Sequence, residues 1–504
     1  MDASRTDDRR DLSELTSWRG DWAGLRVAVL GLGVTGFSVA DTLVELGCEV
    51  LVVARDSTEE HRELLNVIGA TFVEADAAVP PALAGFEAEL LVVSPGFPPE
   101  HPLLIWAREQ DLEIWGDIEL AWRLRDKVVR ADGLPADWIC ITGTNGKTTT
   151  TQLTATMLVS GGLRAAPAGN IGIPVLDAIR DPQGFDVLVI ELSSHQLHWV
   201  NRNPGGVLAP LASVCLNLAD DHLEWHGSRE AYRNAKAKVY DNVRIACVYN
   251  LADLATRQMV EDATVQDGAR AIGFGLGVPG PSDVGLVDGI LVDRAFLEER
   301  RTSALELATM GDLIPSGMDS PHMTANVLAA AALARAAGVT PAQVRDAIRA
   351  FRMDHHRTEV VAESGGILWV DDSKATNAHA ADAALSGFSN VVWIAGGLLK
   401  GTDPAPLVAK HAKRLKAAVL IGADRSALRD AFERHAPGVT VVEVTGGETG
   451  GVMSAAVRAA ASIARSGDVV LLAPAAASMD QFTDYADRGT RFAQAVREQL
   501  DEQG

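Results

Sequence analysis

Cysteine is scarce in this chain. Four residues in 504, Cys48, Cys140, Cys215 and Cys247, stand far apart and mostly inside apolar runs. That spacing excludes a disulfide framework or a cysteine metal knuckle and predicts buried free thiols. Basic charge is also in short supply. Lys and Arg number 45 against 67 Asp and Glu, for a formal net charge of −22. A nucleic-acid or anionic-membrane partner is excluded on this count, because both require clustered basic surface. An acidic protein can still hold an anionic ligand where a few Lys, Arg and helix N-termini converge. No apolar run reaches the roughly 18 residues of a membrane span. The polar start MDASRTDDRRDLSELTSWRG lacks the apolar core of a signal peptide, so a cytoplasmic chain is expected. Internal repeats and low-complexity tracts are absent too. What is present is ordinary globular composition, 47% apolar and 22% charged, in a chain too long for one core.

Short apolar runs alternate with helix-like stretches, the signature of parallel α/β units. The first unit reads as a strand at 25–31, a helix at 34–46 and a strand at 49–54. A further strand at 90–94 stops at Ser94-Pro95-Gly96. A second series opens at Trp138–Thr142, continues through strands at 187–191 and 212–218, and contains the alanine-rich helix 324–338. A more β-rich insertion carries the loop at Gly280–Asp283. From Ile367 a third series begins, with strands near 367–371, 391–395, 417–421, 439–444 and 468–473. Boundaries fall near Gly116 and Met353, giving segments 1–116, 117–353 and 354–504.

Two glycine clusters carry chemistry. Gly31-Leu-Gly33-Val-Thr-Gly36 follows a strand and opens a helix, the context in which glycines let backbone approach a diphosphate on the helix N-terminus. Asp56 follows at the distance of a ribose-binding acid, about 20 residues on. A site for a diphosphate-bearing ligand is expected, a nucleotide sugar rather than NAD, against the alternative of a strand–helix turn without a ligand. The second cluster, Ile141-Thr-Gly143-Thr144-Asn145-Gly146-Lys147-Thr148-Thr149, joins an apolar strand to a Thr-rich helix. It departs from the general phosphate loop in having Ile141 at the first glycine position. The chemistry survives: small residues expose N–H groups to phosphate, Lys147 reaches the β/γ-phosphates and Thr148 can hold Mg²⁺. Glu191, ending one strand, and His222, in the acidic cluster after the next, are the candidate metal partners, since an α/β sheet gathers its ligands at such strand ends.

The strings GTNGKTT, ELSSHQL, NLADDHLEWHG, AYRNAKAKVY, HHRTE, DDSKATN and APAAASMDQF occur in that order. Together with GLGVTGFS and SPG they resemble the Mur ligases from Gly31 to about Phe492. Within that family they resemble most the branch that adds D-glutamate to UDP-N-acetylmuramoyl-L-alanine. The resemblance implies an α/β protein of three domains: a Rossmann-like N-terminal domain, a central P-loop ATPase-like domain and a Rossmann-like C-terminal domain. It implies an ATP-dependent acid–amino-acid ligase that works through an acyl phosphate in peptidoglycan precursor synthesis, with two Mg²⁺ ions and a monomeric chain. The roles it implies are equally specific. Val34, Thr35, Ser94 and Asn170 would contact the UDP-sugar. The loop Gly143–Thr149, Asn326, Arg357 and Asp372 would contact ATP. Thr148, Glu191, His222 and Lys236 would organise metal, with Lys236 carbamylated by CO₂. Lys374, Thr376, Lys400, Ser478 and Tyr485 would surround the acyl phosphate and D-glutamate. The implied catalytic set is Lys147, His222, Lys236 and Lys374.

Departures from the family pattern are local. The run after the second strand reads Ala54-Arg55-Asp56, the segment before the ATP asparagine reads Ser320-Pro-His322-Met323, Tyr485 stands where Phe is expected, and the third-domain loop is Gly396-Gly-Leu-Leu-Lys400. Other readings remain at this level: another Mur-type or folylpolyglutamate-synthase-like ligase, a nicotinamide dehydrogenase that uses Gly31–Gly36 and Asp56, or a nucleotide-gated binding protein without turnover. The folate reading leaves the GLGVTGFS segment unused. The dehydrogenase reading leaves Lys147 and DDSKATN idle.

Overall fold

The computed structural model describes residues 10–55, 57–200, 207–352, 355–400, 402–444 and 449–501. Asp56 and the expected boundary at Met353 lie outside the described residues. Two compact units emerge from the packing: Met1–Leu218 with Trp225–Phe351, and Ala219–Glu224 with Arg352–Gly504.

The first unit contains two sheets. One is formed by β1 (Arg26–Leu30), β2 (Glu49–Ala54), β3 (Thr71–Glu74), β4 (Leu90–Val93) and β5 (Glu113–Gly116) in the order β3-β2-β1-β4-β5, all parallel. Strand residues point alternately to opposite faces. Val27 and Val29 accordingly join one buried cluster, while Ala28 and Leu30 join another on the far side. The chain direction of the connections reverses between β1 and β4, and such a switch point opens a crevice at the strand ends. Gly31 and Ser94 lie at that crevice.

The second sheet comprises β6 (Asp137–Thr142), β7 (Ala165–Gly169), β8 (Val187–Glu191), β9 (Ala212–Cys215), β10 (Ala246–Asn250), β11 (Arg270–Phe274), β12 (Asp283–Val287), β13 (Ile290–Asp293) and β14 (Leu305–Thr309). Their order is β14-β13-β12-β11-β10-β9-β6-β8-β7. Pairing is parallel from β7 to β12 and antiparallel through β13 and β14, which form the β-rich insertion expected around Gly280–Asp283. Strand β6 sits between β8 and β9, so the loop after it opens at a second switch point. Strand β9 ends at Cys215 rather than Leu218, because the backbone beyond it turns toward the phosphate loop. In the Thr-rich helix Lys147–Ser160 three hydroxyls are satisfied by carbonyls one turn earlier, Thr150 by Gly146 O, Thr154 by Thr150 O and Thr156 by Gln152 O, while the burial of most of its side chains supplies the stability that its β-branched content does not. The alanine-rich helix Pro321–Ala336 starts with Pro at its first turn and is buried on nearly all sides, as small side chains allow.

In the second unit, β15 (Glu359–Ser364), β16 (Ile367–Asp371), β17 (Val391–Gly396), β18 (Leu415–Ile421), β19 (Thr440–Glu443) and β20 (Val469–Leu472) form a sheet in the order β15-β16-β20-β17-β18-β19. Only β15 is antiparallel. Val391, Trp393 and Ala395 face one core, and Val392 and Ile394 the other. All four cysteines are buried and free. Burial pushes Cys48, Cys140 and Cys247 up to about 12 and Cys215 up to about 11, leaving inert thiols.

Candidate functional site

At the β1/β4 crevice the backbone is drawn tight. Gly31 adopts φ +98°, and a Cβ on Gly36 would collide with the Gly31 carbonyl oxygen. Only glycine at both positions lets the helix Val34–Glu45 begin so close to the strand. Val34, 76% exposed, and Thr35 form the open first turn of that helix. The Ser94 hydroxyl is buried there without a hydrogen-bond partner. A helix N-terminus with a free buried hydroxyl beside it suits a phosphate-bearing ligand.

The phosphate loop is built by long-range contacts as well as by its own sequence. Gly146 caps the helix Lys147–Ser160 at φ +85°, and the Asn326 carboxamide lies against it. Lys147 Nζ donates to the carbonyls of Gly143 and Thr144 at 2.9 Å each. Thr148 and Thr149 are buried in the first turn, and Thr149 Oγ1 has no partner. Asn217, just beyond β9, clamps the loop: its Oδ1 accepts from the N–H of Thr144 (3.1 Å) and Asn145 (2.9 Å), and its Nδ2 donates to Asn145 O at 3.0 Å. The Tyr232 hydroxyl lies 3.0 Å from Thr144 Oγ1. Neither residue is among those the motifs single out. An Asn two positions past the strand flanking β6 was the available signal for Asn217, whereas nothing local distinguishes Tyr232.

Glu191 ends β8 opposite Ile141 in the sheet register. Its Oε1 accepts from Asn170 Nδ2 at 2.9 Å, and its Oε2 is buried with no partner. Lys236, on the helix Arg229–Ala237 and 2% exposed, donates to Gly143 O at 2.8 Å and lies 3.4 Å from Thr142 Oγ1. The structure therefore brings Gly143–Thr149, Asn326, Asn170, Glu191 and Lys236 together around the end of β6. Among the described residues no hydrogen bond joins Val34, Thr35 or Ser94 to this loop. Beyond Glu191, Ser193 and Gln196 form a reciprocal capping box, and Gln196 Nε2 donates to buried Asp117 at 2.9 Å. Burial raises Asp117 to about 6, with the Gln196 bond opposing the shift.

The second unit gathers the remaining candidates. His222 sits in the Ala219–Glu224 segment at φ +53°, with Asp221 Oδ2 3.5 Å from its Nε2. Arg357 follows His356, whose Nδ1 lies 2.7 Å from Asp371 Oδ2. Asp372 receives the Thr358 N–H at 3.3 Å. Burial lifts Asp372 to about 7, while the nearby Arg357 charge opposes the shift. Lys374 stands 3.5 Å from the centroid of the Tyr485 ring, and the Thr376 N–H donates to Lys374 O. Lys400, at φ +52°, follows Leu398, which pairs both ways with Ala477 at 2.9 Å. Ser478 is the next residue and is buried.

This division of labour has a counterpart among known proteins. Residues 25–116 match the Mur ligase MurD-like N-terminal domain, residues 141–334 the Mur ligase middle domain and residues 356–476 the Mur ligase glutamate ligase domain. The chain belongs to the Mur ligase family. It is 64% identical to the UDP-N-acetylmuramoylalanine--D-glutamate ligase of Leifsonia xyli subsp. xyli, over 97% of this chain and 95% of that one. It is 50% identical to the protein of the same name from Streptomyces avermitilis, over 95% and 99%. The solved MurF ligase of Thermotoga maritima in complex with ADP shares the fold at a TM-score of 0.51 and 15% identity, covering 98% of this chain and 100% of that one. Gly31–Gly36 thus lies in a segment of Mur ligase type, which leaves the nicotinamide reading without support.

Proposed function

We infer that the chain joins the amine of D-glutamate to the alanyl carboxylate of UDP-N-acetylmuramoyl-L-alanine, with cleavage of ATP to ADP and phosphate, in cytoplasmic peptidoglycan precursor synthesis. The observation that carries this reading is full-length similarity to ligases of that name together with the phosphate loop and its buried clamp. A carboxylate is a poor electrophile. Transfer of the γ-phosphoryl group to a carboxylate oxygen gives an acyl phosphate and ADP. The amine then attacks the carbonyl carbon, loses a proton, and the tetrahedral intermediate expels phosphate.

The residues divide by segment. Residues 1–116 take the UDP-sugar through Val34, Thr35 and Ser94, and Asn170 of segment 117–353 adds a further contact. That central segment takes ATP through Gly143–Thr149 and Asn326, and residues 354–504 contribute Arg357 and Asp372. Lys147 and Lys374 neutralise charge on the transferring phosphoryl group. Thr376, Lys400, Ser478 and Tyr485 receive the two carboxylates of D-glutamate by charge-assisted hydrogen bonds. The chain works as a monomer.

The donor set suits Mg²⁺. Glu191 Oε2 is a buried carboxylate oxygen without a partner, which is costly unless a cation completes it. Thr148, Glu191, His222 and a carbamylated Lys236 would hold the metal, which when bound supplies electrostatic stabilisation of phosphate charge. Carbamylation would relieve the burial of one ammonium beside another. The test is a competition assay with D-glutamate, L-glutamate, L-lysine and meso-diaminopimelate on the UDP-muramoyl-L-alanine acceptor, for wild type and Lys400→Ala. D-Glutamate should dominate by roughly 10⁴ or more, as for sites built to pair a polar group. Lys400→Ala should raise its KM. Comparable use of L-lysine would overturn the reading.

A further inference from the structure

Arg488 is a fully buried guanidinium, 0% exposed, on the helix Tyr485–Asp501. No ion pair completes it among the described residues. Its Nε donates to Ser373 Oγ at 2.9 Å, one terminal nitrogen to Ser373 O at 2.8 Å, and the other to Ala476 O at 3.1 Å. Burial pushes the guanidinium down to about 10, and the more distant Asp480 and Asp371 charges only partly restore it. A buried cation held by neutral oxygens is expensive in stability, so its three bonds must secure something.

They secure two turns. Ser373 lies between Asp372 and Lys374, and Ala476 lies two residues before Ser478. The second turn carries a third, because Ala477 pairs with Leu398 of the segment leading to Lys400. The same helix end makes two more contacts with the first turn. Tyr485 O accepts from Ser373 Oγ at 2.7 Å, and Gly489 packs against the His356–Asp371 pair, where a Cβ would strike the imidazole. A planar guanidinium with donors in a fixed fork defines the separation and tilt of the groups it bridges, which a lysine cannot do.

We infer that Arg488 is the positioning residue of the amino-acid pocket, holding the Asp372–Lys374 turn and the Ala475–Ser478 turn in the one geometry that accepts the incoming amino acid. The inference rests on the pocket assignment proposed above and adds to it a residue that touches no substrate. It is tested by steady-state kinetics of Arg488→Lys and Ser373→Ala, each checked for folding by circular dichroism. Arg488→Lys should raise KM for D-glutamate about tenfold or more, the factor given by losing one or two hydrogen bonds to a charged group. KM for ATP should rise by a clearly smaller factor, since Gly143–Thr149 and Asn326 belong to the other compact unit and only Asp372 among the proposed ATP contacts lies on a turn that Arg488 holds. Ser373→Ala, which removes one acceptor and keeps the cation, should move KM for D-glutamate the same way by a smaller factor, and it decides the matter if Arg488→Lys does not fold. An unchanged KM for D-glutamate in the folded variants, or an equal rise in KM for ATP, overturns the inference. Should wild type use another amino acid instead, the pocket reading fails, and the same comparison run with that amino acid still decides the role of Arg488.

Discussion

Lys147 and Lys236 donate to the same carbonyl oxygen, that of Gly143, at 2.9 and 2.8 Å. One lysine comes from the helix that the loop opens and the other from the helix Arg229–Ala237, so the two amines meet at the start of the phosphate loop. Two amines around one oxygen make the loop a place where anionic charge is wanted.

Lys147→Ala should fold normally, because its side chain bonds only loop carbonyls. Turnover should fall by about 10² to 10³, the typical effect of removing one preorganised charge-stabilising donor. Near-normal kcat in a folded Lys147→Ala protein would remove the loop from the reaction.

Activity should depend on CO₂ through Lys236. In CO₂-depleted buffer wild type should lose activity and regain it with bicarbonate, and Lys236→Ala should be inactive under both conditions. Lys238→Ala is the control. Lys238 is committed to the carbonyls of His198 and Val200, so that variant should keep the bicarbonate response. Full activity of Lys236→Ala excludes the carbamate.

Gly146→Ala should weaken ATP binding. The new methyl would meet the Asn326 carboxamide at 2.5 Å, and φ +85° is strained for any residue with a Cβ. The strain alone is about 1–2 kcal/mol, enough for roughly a tenfold loss in affinity. Calorimetric titration with ATP checks this, and wild-type affinity would mean that the Gly146–Asn326 contact does not matter for nucleotide.

Asp117 gives the protein a pH signature. Burial disfavours its carboxylate and raises it to about 6, above the 3.8 of an aspartate in water. The contribution to stability is therefore complete below about pH 4 and is lost as pH rises through about 6. Asp117→Asn, neutral throughout, should gain on wild type over that window by on the order of 2–3 kcal/mol. Thermal unfolding of both proteins from pH 4 to 7 reads the effect directly. Parallel Tm curves contradict it.

The parts legible in the sequence were those encoded locally. The strand–loop–helix around Gly143–Thr149 and the alternation of apolar runs needed no partner to be read, and β2, β8 and β16 fall on their expected residues. The parts that escaped depend on packing between distant segments. Arg488 lies in a polar helix and looks like any solvated arginine until its neighbours in space are known. Asp117 looks like an ordinary acid at a helix start, and only the fold buries it against Gln196. Asn217 follows a strand that the apolar pattern extends to Leu218, because Leu216 and Leu218 continue the pattern after the ladder stops at Cys215.

The most direct test is to measure ADP release by the purified full chain with ATP and Mg²⁺ while UDP-N-acetylmuramoyl-L-alanine and D-glutamate are added singly and together. Sustained release should require both, and the product should be the UDP-muramoyl-L-alanyl-D-glutamate amide by mass. Equal release without D-glutamate, or with no UDP-muramoyl substrate present, would contradict the account.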